Sequence, residues 1–138
     1  MTTTLEGGVL DLLEANAGVT ALIGAGATAR IYPLVVPEGA VLPAITWQLI
    51  SEPRMESMNG GTVLAWTRLQ FNCWARKYSQ AAPLAQAVKA ALSQYRGTLS
   101  NGSRVDRIKV DNTLDLYDPA TGYFRRVVDV IVTNEAAA

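Results

Sequence analysis

Apolar and polar positions alternate in two distinct rhythms along this chain. Leu5, Val9, Leu12 and Leu13 recur at helical spacing behind Thr3-Thr4-Leu5-Glu6. That tetrad has the form of a capping box, with Thr3 as N-cap and Glu6 reaching back to it. Asn16-Ala17-Gly18 stops this helix, and Val19 to Ile23 forms one more apolar helical turn before Gly24-Ala25-Gly26. Pro33, Pro37 and Pro43 exclude a helix over Arg30 to Pro43. The apolar residues there, Ile31, Leu34, Val35, Val36 and Leu42, predict an extended segment crossing the surface of the core.

From Ala44 the period changes to two. Ile45, Trp47 and Leu49 share one side of a strand over Ala44 to Ser51. Glu52 to Gly61 is predicted to be a polar, glycine-tipped loop carrying Met55 and Met58. Val63 to Ala75 is a long strand. Leu69, Phe71, Cys73 and Ala75 line one face of it, and Trp66, Arg68, Gln70, Asn72 and Trp74 line the other. Ser79 caps a second helix, which tolerates Pro83 only near its first turn. Its buried stripe is Leu84, Ala85, Val88, Leu92 and Tyr95, and Gly97 ends it.

Asn101-Gly102 marks a turn. A strand then runs from about Val105 to Leu116, with Ile108, Val110, Leu114 and Leu116 pointing the same way. Asp118-Pro119-Ala120-Thr121-Gly122 joins it to a final strand, Tyr123 to Thr133. Pro119 presets φ, Asp118 can bond the backbone ahead of it, and Gly122 can take positive φ. The predicted order is α-β-β-α-β-β. The fold class is α+β: an antiparallel four-stranded sheet, with a mixed sheet as the variant, and two main helices packed on one face. Residues 1–138 form a single domain with a frayed tail over 134–138.

Composition narrows the function. The chain has 138 residues, 49% hydrophobic and only 17% charged, which is globular. Lys plus Arg number 12 and Asp plus Glu number 12, giving zero formal net charge. That balance argues against a nucleic-acid grip and offers little self-repulsion. There is no histidine and a single cysteine, Cys73. Cys73 alternates in phase with Leu69 and Phe71, so it reads as a core residue without a base to activate it. One cysteine suits a reducing compartment. The N-terminus lacks the form of a signal peptide, and no apolar run reaches membrane length. A soluble protein made in a cytoplasm is expected.

Gly24-Ala25-Gly26 lacks the rest of a nucleotide-binding loop. Asp111, Asp115 and Asp118 lack calcium-loop spacing. No catalytic, metal or cofactor site is expected. The candidate residues belong instead to contact surfaces: Arg54, Met55 and Met58 in the loop, and Trp66, Arg68 and Trp74 on the far sheet face. Arg125 and Arg126 alternate to opposite faces. One pairs with an acidic neighbour such as Asp115 or Asp129, and the other is left for a partner.

A family resemblance joins these pieces. Val19-Thr20-Ala21-Leu22-Ile23-Gly24 comes first, then Arg30-Ile31-Tyr32-Pro33, then Pro37-Glu38-Gly39 with Leu42-Pro43-Ala44-Ile45. Phe71-Asn72-Cys73-Trp74-Ala75 follows, and then Leu116-Tyr117-Asp118-Pro119 with Thr121-Gly122 and Arg125-Arg126. In this order the chain resembles the tail-completion, or tail-terminator, family of long-tailed bacteriophages and gene-transfer particles. The glycine-rich stretch from Gly24 to Thr28 departs from the pattern. The resemblance implies a small α/β subunit in a hexameric ring. Such a ring caps the head-proximal end of the tail tube, ends its polymerisation and docks to the neck. The implied partners are further copies of the chain, the tail tube protein and a head–tail connector or stopper, with DNA only passing through the lumen. The implied location is the virion, after assembly in the host cytoplasm. The alternatives are another neck or tube component on a similar scaffold, and a small cellular ligand-binding protein.

Overall fold

The computed structural model describes residues 5–24, 29–56, 62–100, 102 and 104–137. Its elements are α1 (Leu5–Ala15), α2 (Ala17–Ile23), β1 (Ile31–Pro33), β2 (Ala44–Ser51), β3 (Arg54–Glu56), β4 (Thr62–Ala75), α3 (Tyr78–Leu92), β5 (Gly97–Thr98), β6 (Arg104–Asp118) and β7 (Tyr123–Ala137). The sheet has seven strands in the order β1-β2-β4-β7-β6-β5, with β3 beside β4. It curls into a half-barrel.

The predicted four-stranded sheet is its centre: β2, β4, β7 and β6 pair antiparallel. The count was low because β1, β3 and β5 are two or three residues long and show no alternation. The sheet is mixed because β1 runs parallel to β2. Three helices, not two, lie on one face. Asn16 does not merely stop α1. Its side chain accepts from the Val19 N–H at 3.2 Å and so caps α2. Thr3, the expected cap of α1, lies outside the described residues.

α3 begins earlier and ends earlier than its sequence suggests. Lys77, not Ser79, occupies the N-cap, and Pro83 sits inside the helix. Ser93 closes the helix through its N–H to the Lys89 carbonyl, and Gln94 turns the chain with φ of 62°. Gly97 therefore opens β5, and Tyr95 packs against the core from outside the helix.

The core lies between the helices and one sheet face. Leu69, Phe71, Cys73, Val128, Val130 and Val132 meet Leu84, Val88 and Leu92 from α3. Val9, Leu13, Val19 and Ile23 close it from α1 and α2. Burial pushes the Cys73 thiol up to about 12. The thiolate is the reactive form, so Cys73 should ignore a thiol reagent at pH 8 until the chain is unfolded. Rapid labelling of the native protein would contradict this packing.

Two sequence expectations fail here for physical reasons. Ile108 and Val110 face the helices, but Leu114 and Leu116 face away. A β-bulge between Val110 and Asn112 adds one residue and reverses the alternation. The tail is not frayed over 134–137. β7 pairs with β4 through Thr62↔Ala137, and Asn134 is buried. The side-chain amide of Asn134 lies 3.0 Å from Thr67 Oγ1. With its nitrogen turned inward it also meets the Ala65 and Val132 carbonyls.

Candidate assembly interface

The far face of the sheet, opposite the helices, carries most of the predicted contact residues. Register places Trp66, Arg68, Gln70, Asn72 and Trp74 of β4 beside Thr133, Ile131, Asp129, Val127 and Arg125 of β7. The centre of this face is closed. Thr46, Asn72 and Val127 are buried, and the Asn72 Oδ1 has no hydrogen-bond partner among the described residues. Arg68 reaches over β7 to Asp111 on β6 at 2.8 Å, in keeping with the curl. Gln70 donates to Asp129 at 3.2 Å.

At one end of the face, Trp74 Nε1 donates to Thr46 Oγ1 at 2.9 Å. The Arg125 guanidinium lies 5.0 Å from the Trp74 ring centroid. A groove of about 360 Å³ opens beside this pair. Its walls are the 35–40 segment and the β6–β7 turn, including Val35, Pro37, Asp118 and Tyr123. The turn is built as the sequence implies. Asp118 accepts from the Ala120 N–H and the Thr121 hydroxyl, and Gly122 takes φ of 74°.

The 34–43 segment departs from expectation. Ile31 packs against the core, but Leu34, Val35 and Val41 are exposed. Leu34 takes φ of 66°, which breaks the extended run after β1. Of the five apolar residues expected to run across the core surface, Leu34 and Val35 therefore project outward, Val36 and Leu42 are half-buried, and Ile31 keeps its place.

At the other end of β4, the predicted loop is partly a strand. Arg54, Met55 and Glu56 pair with Ala65, Leu64 and Val63. Arg54 binds Glu52 at 3.2 Å, and Met55 is 60% exposed. Met58 lies outside the described residues. The far-face row thus unites Trp74 with Arg125 and separates both from Arg54 and Met55.

Arg126 sits on the helix side. Its guanidinium binds Asp115 at 2.6 and 3.1 Å and also donates to the Tyr78 hydroxyl. Arg125 and Arg126 do face opposite ways, and Asp115 is the acidic neighbour that pairs. The Arg126 hydrogen bond holds the Asp115 carboxyl below its usual range, and Arg68 does the same for Asp111. Carboxylates with lowered folded pKa stabilise above their unfolded pKa, and that gain disappears as pH falls through the folded value. Thermal unfolding between pH 5 and 2 should therefore be flatter in Asp111→Asn and Asp115→Asn than in the parent. Identical pH profiles would contradict the pairing.

Among the described residues, no group of His, Cys, Asp or Glu could hold a metal ion. No described helix is long and apolar enough to cross a membrane. Arg68 with Asp111, Gln70 with Asp129 and Arg126 with Asp115 pair across the sheet, and Leu49, Ile50, Leu114, Leu116 and Tyr117 are exposed on its outer strands. The chain belongs to the tail completion protein gp17 family, whose model matches residues 7–135. It is a structural virion protein of the phage tail, not an enzyme. Its fold is similar to a chain in the virion of a native gene transfer agent particle, with a TM-score of 0.70 at 20% identity. That match covers 96% of this chain and 95% of the other. Curated proteins give no match.

Proposed function

We propose that this protein ends tail-tube growth. Copies of the chain form a ring, six by the family resemblance, on the head-proximal end of the tube. The ring blocks further tube subunits and joins the tail to the neck of the filled head. The partners are other copies of the chain, the tail tube protein and a connector or stopper. DNA passes through the lumen, and zero net charge suits a channel that must not grip it. Assembly takes place in the host cytoplasm.

The observation that carries this reading is where the exposed apolar side chains lie. They gather on the sheet margins of a subunit whose core is otherwise closed. Apolar margins on a rigid subunit suit lateral packing of many copies. Within that ring, Trp74 with Arg125, Trp66, Met55, Met58 and Arg54 are assigned to contacts with neighbours or tube. Arg68 and Arg126 are spent on internal ion pairs and serve by holding the sheet.

Purified chain added to polymerising tube protein tests the reading. Short tubes capped at one end are expected. Chain incorporated along the length of the tubes would favour the alternative of a tube component. Unchanged tubes and no binding would contradict both.

A further inference from the structure

The sheet has two open edges. On β6, the Ile108 N–H donates to the Tyr95 carbonyl and its C=O accepts from the Gln94 N–H. Its backbone groups therefore point away from β7. Counting along the register, past the bulge, gives the same orientation to Thr113, Asp115 and Tyr117. Among the described residues no backbone partner covers them, and β5 pairs only with Val105 and Arg104. On the other side, β1 covers β2 from Ile45 to Trp47. The Trp47 carbonyl is taken by the Leu34 N–H, and the next outward residue, Leu49, has no such partner among the described residues.

Each edge carries one β-bulge, between Val110 and Asn112 on β6 and between Leu49 and Ser51 on β2, but lacks the sequence blocks to pairing. Thr113-Leu114-Asp115-Leu116-Tyr117 and Gln48-Leu49-Ile50-Ser51 contain neither proline nor lysine. The one carboxylate, Asp115, is neutralised within the chain by Arg126. Both edges carry exposed apolar side chains: Leu114, Leu116 and Tyr117 on β6, and Leu49 and Ile50 on β2. An edge of bare N–H and C=O groups is a template for pairing with another extended strand. The two edges are different surfaces at opposite margins of one sheet, so pairing one with the other is head-to-tail, the kind of contact that builds a ring when the rotation per copy closes.

We infer that the occupant of each edge is a second copy of this chain: β6 of one copy pairs through its backbone with β2 of the next, around Thr113–Tyr117 and Leu49. The inference rests on the ring reading above and specifies how the ring closes.

Amide hydrogen exchange on the wild-type chain, free and assembled on tubes, tests it without any substitution. The Thr113, Asp115, Tyr117 and Leu49 amides should exchange fast in the free chain and about tenfold or more slowly in the ring. Thr113→Pro removes an outward N–H and no internal hydrogen bond, so it should fold like the parent and fail to cap tubes. Rings in which these four amides stay fast would overturn the junction and leave the terminator reading standing. A folded Thr113→Pro chain that caps tubes normally would do the same. Failure of the wild-type chain to multimerise on tubes would overturn the terminator reading, and the junction with it.

Discussion

Phe71→Ala should lower stability by about 3–5 kcal/mol. Phe71 is only 1% exposed and is the largest fully buried side chain. It sits in the middle of β4, opposite Trp47 on β2 and Val128 on β7, and belongs to the core cluster with Leu84 and Val88 of α3. Truncation removes a ring that both layers touch, and the strands on either side hold the backbone too firmly to close the gap. A domain of this size is stable by about 5–15 kcal/mol, so the loss takes a large share of the total. The denaturant midpoint should fall while the slope of the transition is unchanged. A loss below about 1 kcal/mol would mean that the helices do not bear on the sheet here. Capping should fall with the folded fraction, with no change at any contact surface.

Leu114→Pro should also destabilise strongly, by about 2–4 kcal/mol. Leu114 stands opposite Val127. By the same alternation that turns Thr113 outward, its N–H points into the ladder with β7. Proline there removes a ladder hydrogen bond and strands an acceptor on Val127, which is buried. The side chain itself is 38% exposed, so little of the loss comes from packing. Equilibrium unfolding of Leu114→Pro beside Thr113→Pro compares adjacent residues with opposite backbone directions. A large loss at 114 and almost none at 113 is the expected result. Equal losses would contradict the register of β6.

The four long strands, their hairpin pairing and the core stripe of α3 were legible because each rests on a sustained period. Leu69, Phe71, Cys73 and Ala75 announce their face four times over. The Asp118 turn was legible because Pro119 and Gly122 each fit one backbone geometry. The bulge at Asp111 was not, because one inserted polar residue looks like an ordinary outward position until the register is known. It turned Leu114 and Leu116 away from the face they were expected to share with Ile108 and Val110. The outward apolar residues near Val35 were hidden for a related reason. Proline excludes helix but does not say which side of an irregular segment faces water. Asn134 read as tail because a polar residue near a terminus carries no sign that a strand 67 residues away will bond it. The pairing of Arg126 with Asp115 was open only in identity: alternation put one arginine on each face, and the helix side supplied Tyr78 as a further partner that no spacing reveals.

The most direct test of the central claim is electron microscopy of lysates from particles that lack this gene. The account predicts filled heads beside unjoined or overlong tails, with both defects repaired by supplying the chain in trans. Normal particles with joined tails of ordinary length would contradict it.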